Sequence, residues 1–282
     1  MRMKMMMAVT VLWVVLLPYG VSGGNLMVKY KLVCFTVTFA DGSMYSLPLD
    51  MAPNSVDDMY EGCAAEMEKK AVEFLKKERN DNKVFNQIWE ELKANQPTKV
   101  LSKEEITALS VYTSDTTYPG FNKATREQGP KYKTAFKYHA LHFYLTRAVQ
   151  KLNALQKECY NVYRRTNVFF RQDVLNKEVR FSSFASSSLR DDLTDFGDKS
   201  CFEIYTCMGA DVMEHSEFEN EAEVLIPPYE VFKVTEITKR SEQPQSGLRC
   251  DVVYKLKSTK KTKSNLNCAL IQKKRCKFPW CG

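Results

Sequence analysis

The sequence predicts an α+β domain, and three observations carry that prediction. Between about Val56 and Ala154, apolar residues recur at three- and four-residue spacing, the period of helices packed by one face. From Tyr160 onward the pattern becomes short runs rich in β-branched and aromatic residues, separated by turns. No GxGxxG, Walker loop or internal repeat occurs, so helices followed by strands are expected rather than βαβ units.

The chain opens with basic Arg2 and Lys4, an apolar run from Met5 to Leu17, Pro18 and small residues Val21-Ser22-Gly23. That is the layout of a cleavable secretory signal over residues 1–23. The run is shorter than the roughly 20 apolar residues a membrane anchor needs, and no later segment is apolar enough to span a bilayer. The C-terminus lacks the hydrophobic tail of a lipid-anchor signal. A secreted, extracellular protein is expected, with residues 24–282 as a single domain: about 50–155 mainly helical, about 156–272 mainly β, and 273–282 a basic, cysteine-containing tail.

Nine cysteines, all beyond the signal, suit several disulfides in an oxidising compartment. With no CxxC pair and His139, His142 and His215 as the only histidines, no metal site is expected. The net charge of +7 is concentrated in Lys255–Lys277. A solvated basic loop accounts for it, since no nucleic-acid motif accompanies it.

Asp57-Asp58 suit the first turn of a helix, where acids complement the dipole. Ala64, Met67, Ala71, Phe74 and Leu75 continue that face, and Val84, Ile88, Trp89 and Leu92 form a second stretch before Pro97. Ser102 with Glu105 reads as a capping box opening a third helix. Tyr118-Pro119-Gly120 breaks the pattern, with a short helix from Phe121 to Gly129. A long helix is expected from about Tyr132, carrying Phe136, Ala140, Phe143, Tyr144, Ala148 and Leu152 on one side. His139 and His142 fall in it, where ordinary packing or hydrogen bonding explains them. Expected strands are Asn161–Tyr163, Glu178–Phe184, Cys201–Thr206, Ala222–Ile226, Val231–Thr238, Asp251–Lys257 and Cys268–Gln272, with a polar connection from Ser241 to Gly247.

The run Glu219-Asn220-Glu221-Ala222-Glu223-Val224-Leu225-Ile226-Pro227-Pro228 reads as a strand stopped by prolines. Alternation would place Glu219, Glu221 and Glu223 on one face, successive ones roughly 7 Å apart at the backbone. Three like charges there repel, which is tolerable where a cation or a developing positive charge arrives. Alone, the segment reads better as the acidic solvent face of an edge strand.

Arg164 at a strand end, Ser186-Ser187-Ser188, and Glu223 ahead of Val224-Leu225-Ile226-Pro227-Pro228 together resemble the Arg-Ser-Glu signature of the vertebrate arginine-specific ecto-mono-ADP-ribosyltransferases. The likeness extends to Asp50-Met51-Ala52-Pro53-Asn54-Ser55-Val56-Asp57-Asp58-Met59-Tyr60-Glu61-Gly62-Cys63. It also takes in Lys137–Phe143, Thr206-Cys207-Met208-Gly209-Ala210 and Asn267-Cys268-Ala269-Leu270, so it covers about Leu49 to Leu270.

The resemblance implies one catalytic domain, its helical N-terminal part packed on two β-sheets that flank an NAD cleft. ADP-ribose would pass from NAD (or NADP) to arginine side chains of proteins, extracellular or on cell surfaces, with release of nicotinamide. Arg164 would hold the dinucleotide phosphates, a role suited to a planar guanidinium. Ser186 would organise the nicotinamide ribose. Glu223 would bind the ribose 2′-hydroxyl and stabilise the sugar cation, by the logic glycosidases use for an oxocarbenium-like transition state. Glu221 would receive the acceptor guanidinium and take its proton. A free guanidinium, with a pKa above ~12, is a poor nucleophile unless a carboxylate removes that proton. Phe196 would stack on nicotinamide, although a core phenylalanine serves equally there. Cys63 would pair with Cys268, and Cys159 with Cys207. Cys34, Cys201, Cys250, Cys276 and Cys281 fall outside that framework, with Cys276–Cys281 a plausible terminal loop.

One departure stands out. The family pattern has glycine after the first-motif arginine, and this chain has Arg165, which would fit less well if that position required positive φ. Two other readings remain: a predominantly NAD glycohydrolase with the same site, and a non-catalytic secreted binding protein adhering through its basic C-terminal region.

Overall fold

The computed structural model describes residues 10–21, 28–38, 46–114, 118–243 and 247–271. Strands β1 (Thr10–Val21) and β2 (Val28–Thr38) form an antiparallel hairpin that stands as a unit of its own. The remainder of the expected signal, the basic tail, Cys276 and Cys281 lie outside the described residues.

From Leu47 onward the described residues make a second compact unit. Its helices are α1 (Ala64–Asp81), α2 (Lys83–Glu91), α3 (Lys103–Thr113), α4 (Tyr118–Glu127) and α5 (His139–Asn153). Helix α5 is the centre of the helical core, because both of its sides are apolar: Ala140, Leu141, Phe143, Leu145, Ala148 and Val149 are all buried. Its two histidines pack there as expected. His142 bonds Tyr60 Oη (2.8 Å) and the Val56 carbonyl (3.0 Å), and burial pushes its pKa down to about 3.

The capping box is present: Ser102 Oγ accepts from Glu105 N (3.2 Å) and Glu105 Oε2 from Ser102 N (2.8 Å). Two helix boundaries differ from expectation. Helix α4 begins at Tyr118, because Pro119 falls in the first turn, where its missing N–H bond is not needed. Helix α5 begins at His139 instead of near Tyr132, because the amides that open it are capped from another helix. Ala140 N and Leu141 N donate to the Glu78 carboxylate of α1 at 2.7 and 3.3 Å.

Asp57 and Asp58 are not in a helical first turn. Both are buried loop anchors. Asp57 pairs with Arg180 Nη1 (2.9 Å) and accepts from Asn265 N and Leu266 N. Asp58 accepts from Tyr132 Oη (3.0 Å) and Cys268 N (2.9 Å), and burial raises its pKa to about 6. These bonds hold the Cys268 segment in turns, with Cys268 at φ 59°, so the expected strand Cys268–Gln272 does not form as far as Ile271; Gln272 lies outside the described residues. Arg180 likewise ends the expected Glu178–Phe184 strand after two residues. Its buried guanidinium donates to the Met51, Ala52, Pro228 and Lys263 carbonyls as well as to Asp57.

The β half comprises β4 (Tyr160–Thr166), β6 (Glu178–Val179), β7 (Ala185–Ser188), β8 (Ser200–Thr206), β9 (Ala210–Asp211), β10 (Glu223–Ile226), β11 (Glu230–Lys239) and β12 (Val252–Thr262). A separate ribbon pairs β3 (Ser46–Leu47) with β5 (Phe169–Phe170). The sheet order is β6-β11-β12-β8-β4-β7-β10-β9, with β12 parallel to β8. The two sheets implied by the family resemblance appear as two halves of this one sheet, joined at β4–β7 through the pair Tyr163↔Ser188.

Disulfides Cys63–Cys268 and Cys159–Cys207 form as the resemblance implied, and Cys201 pairs with Cys250. Cys159–Cys207 staples the end of β4 to the end of β8, next to the register pair Tyr160↔Thr206.

Candidate active site

A cleft opens where the sheet halves part. Strand β4 stays paired with β8 as far as Thr166, but its pairing with β7 ends at Tyr163. The space that results encloses about 450 Å³ and is lined by Arg164, Ser186, Phe196, Glu221 and Glu223, five residues singled out in the sequence.

Arg164 reaches the cleft from β4, donating from Nη1 to the Ser186 carbonyl. Ser186 and Glu223 lie on neighbouring strands β7 and β10, where Leu225↔Ser186 and Glu223↔Ser188 set the register. Alternation thus turns Ser186, Ser188 and Glu223 to one face of the sheet. The serine triplet is itself a strand. Ser187, on the opposite face, donates to the Val224 carbonyl at 2.7 Å and anchors β7 to β10.

Glu223 is 5% exposed. Burial raises its pKa; hydrogen bonds from Ser186 and Ser216 and the nearby Arg164 charge act in the opposite sense. Ser216, which the sequence reading missed, donates from Oγ to Glu223 Oε2 at 3.1 Å and accepts from Phe218 N at 3.2 Å. Its only sequence signal was a polar residue seven positions before the glutamate.

The expectation that Glu219, Glu221 and Glu223 alternate along one strand is not met. Glu219–Glu221 form a 3-10 turn, Ala222 has φ 47°, and β10 starts at Glu223. The reason lies in three successive carbonyls. The Asn220 carbonyl accepts from Arg190 Nη1 (2.8 Å), that of Glu221 from Ser188 Oγ, and that of Ala222 from Leu189 N (3.1 Å). All three point at the segment 188–190, whereas carbonyls in a strand alternate in direction. Glu221 and Glu223 still share the cleft, from different backbone conformations; the Glu219 side chain lies outside the described residues. A non-glycine residue at positive φ is a strained arrangement of the kind that gathers at functional sites.

Phe196 is no core residue. It is 51% exposed, on a 3-10 turn (Thr194–Phe196) at the cleft. Gly197 makes that turn possible, with φ 120° and a position where a Cβ would lie 2.6 Å from the Thr166 carbonyl carbon. Arg165 sits within regular β4, opposite Cys201, and is not at positive φ, so arginine fits there without strain. Among the described residues no cluster of three or more His, Cys, Asp or Glu side chains suits a metal ion.

The chain as a whole is similar to known proteins. The chain is 38% identical over 256 residues to T-cell ecto-ADP-ribosyltransferase 1 of Mus musculus, covering 85% of this chain and 84% of that protein. It is 32% identical over 269 residues to GPI-linked NAD(P)(+)--arginine ADP-ribosyltransferase 1 of Mus musculus, covering 88% and 80%. A crystal structure of a mutant of the eukaryotic mono-ADP-ribosyltransferase ART2.2 in complex with NAD superposes with a TM-score of 0.64 at 35% identity, over 79% of this chain and 98% of that one. The family model NAD:arginine ADP-ribosyltransferase matches residues 49–263, and the chain belongs to that family.

Proposed function

We propose that this chain transfers ADP-ribose from NAD to arginine side chains of proteins and releases nicotinamide. The observation that carries the reading is the convergence of Arg164, Ser186, Glu221 and Glu223, remote in sequence, on one cleft. Arg164 holds the pyrophosphate and Ser186 orients the nicotinamide ribose. The bond between the ribose C1′ and the nicotinamide nitrogen breaks, and its electron pair leaves with nicotinamide. The ionised Glu223 carboxylate stabilises the sugar cation left behind. An arginine nitrogen then bonds to C1′, and its proton passes to Glu221. Phe196, exposed at the cleft, stacks on the nicotinamide ring.

NADP is accepted as well as NAD, in keeping with the NAD(P) in a relative's name. The chain works outside the cell or at its surface, as the relatives named ecto- and GPI-linked enzymes do.

The test is incubation of the purified mature chain with labelled NAD and agmatine. Labelled agmatine together with free nicotinamide is the expected result. Nicotinamide and free ADP-ribose without labelled agmatine would make the protein a glycohydrolase. No turnover, with salt-sensitive binding to anionic surfaces, would make it a binding protein.

A further inference from the structure

Arg165 stands where the family pattern has glycine, and it lines the same cleft as Arg164. Adjacent residues of a strand leave it on opposite faces, so the two guanidinium groups approach the cleft by different routes. Arg164 turns to the Ser186 carbonyl. Arg165 turns to the segment after the serine triplet, where Nε and Nη2 donate to the Asp191 carbonyl at 3.2 and 2.8 Å. Its Nη1 lies 3.5 Å from Cys250 Sγ, in the disulfide to Cys201, the residue that faces Arg165 across the sheet.

Among the described residues, the acceptors recorded for Arg165 are therefore neutral: a carbonyl oxygen and a sulfur. Arg190, also on the cleft wall, bonds the Asp192 carboxylate directly, whereas Arg165 meets the charge of that same Asp192 only through space. Arg190 Nε and Nη2 meet Asp192 Oδ1 and Oδ2 at 3.0 and 2.9 Å, so the Arg190 charge is matched by a carboxylate. A guanidinium has five N–H donors in a fixed fork. Three of those of Arg165 point at Asp191 and Cys250, which leaves one on each terminal nitrogen. A held guanidinium that keeps a donor on each terminal nitrogen can take a phosphate in bidentate fashion. Because the side chain is already fixed at both ends of the fork, little further ordering is needed when the anion arrives.

We infer that Arg165 is a second phosphate-binding residue of the dinucleotide cleft. The inference rests on the proposed NAD reaction. The phosphate it meets is either the pyrophosphate shared by NAD and NADP or the 2′-phosphate of NADP alone, and the kinetics separate the two.

The experiment measures kcat and KM for NAD and for NADP at saturating agmatine, in the wild type and in Arg165→Ala, Arg165→Gln and Arg165→Lys, with unfolding midpoints for each. Loss of a charge-assisted phosphate contact raises KM by about 10- to 100-fold, with kcat within a few-fold of wild type and partial recovery in Arg165→Lys. A rise for both dinucleotides identifies the pyrophosphate, and a rise for NADP alone identifies the 2′-phosphate. Unchanged KM for both in Arg165→Gln, at an unaltered unfolding midpoint, would overturn the assignment. So would a fall in kcat that tracks lost stability in all three variants. If the wild type itself releases no nicotinamide, the proposed activity fails. If the wild type turns over and the variants match it, only the role of Arg165 is lost.

Discussion

Among the described residues, two of the cavities are of nearly equal size, about 450 and about 440 Å³, and each has a buried glutamate in its wall. Burial raises the pKa of both: Glu223 in the first, and Glu78, pushed to about 8, in the second. Their partners differ. Glu78 has both oxygens engaged by the backbone amides of Ala140 and Leu141, which a helix fixes in place. Glu223 is met by two hydroxyls, Ser186 and Ser216, with the Arg164 charge nearby. Hydroxyls rotate, so they can follow a charge that develops on a substrate, whereas the amides at a helix start are spent on capping. A raised carboxyl pKa therefore marks burial in both places, and only the partners separate a structural carboxyl from one equipped for chemistry.

The sharpest way to break this comparison is to neutralise each carboxyl in turn. Glu223→Gln should lower nicotinamide release by about 1,000-fold at an unchanged fold, measured with and without agmatine. Retained release would remove Glu223 from the centre of the reaction. Glu221→Gln comes next, reducing agmatine labelling by about 100-fold and NAD hydrolysis much less. Equal losses would show that the two acids do not divide the work as proposed.

Glu78→Gln should leave turnover intact and cost about 1–3 kcal/mol of stability, because the NH2 that replaces one carboxylate oxygen donates and cannot accept from the helix N–H it faces. Its pH signature is opposite to that of a salt-bridged acid. With a folded pKa near 8 above the ordinary 4.5, Glu78 contributes stability that is complete at acid pH and is lost as pH rises toward about 8. Unfolding midpoints measured across that window should fall with pH in the wild type, and less so in Glu78→Gln. A slope unaffected by the substitution would assign the pH dependence to other groups.

The smallest effect belongs to Ser216→Ala. Its hydroxyl favours the ionised form of Glu223, so removing it should move the acid limb of kcat to higher pH with little change in the plateau. An unmoved limb would make Ser216 a loop-closing residue only.

Much of this was legible before the coordinates. The order of helices and strands followed from periodicity, and the capping box at Ser102 and Glu105 from a local motif. Disulfides Cys63–Cys268 and Cys159–Cys207 followed from the resemblance to a family. Arg164, Ser186, Glu221, Glu223 and Phe196, singled out in the sequence, all line one cleft. What misled were segments whose local pattern yields to a distant partner. Asp57 read as a helix-start acid because nothing nearby reveals Arg180. The acidic run read as a continuous strand because nothing in it reveals that the segment 188–190 draws three of its carbonyls the same way.

By itself, the sequence determined where apolar faces recur, which residues could carry charge into a nucleotide cleft, and the family to which those residues correspond. Tertiary structure alone decided that Glu221 and Glu223 sit on opposite sides of a left-handed Ala222, and that Ser216 joins the site. It also paired Cys201 with Cys250 and tied the Arg165 guanidinium to the Asp191 carbonyl. Periodicity and capping depend on neighbours a few residues apart, which any short window contains. A backbone bend, a buried ion pair or a shared cavity depends on groups brought together by the whole chain, and no window contains both partners.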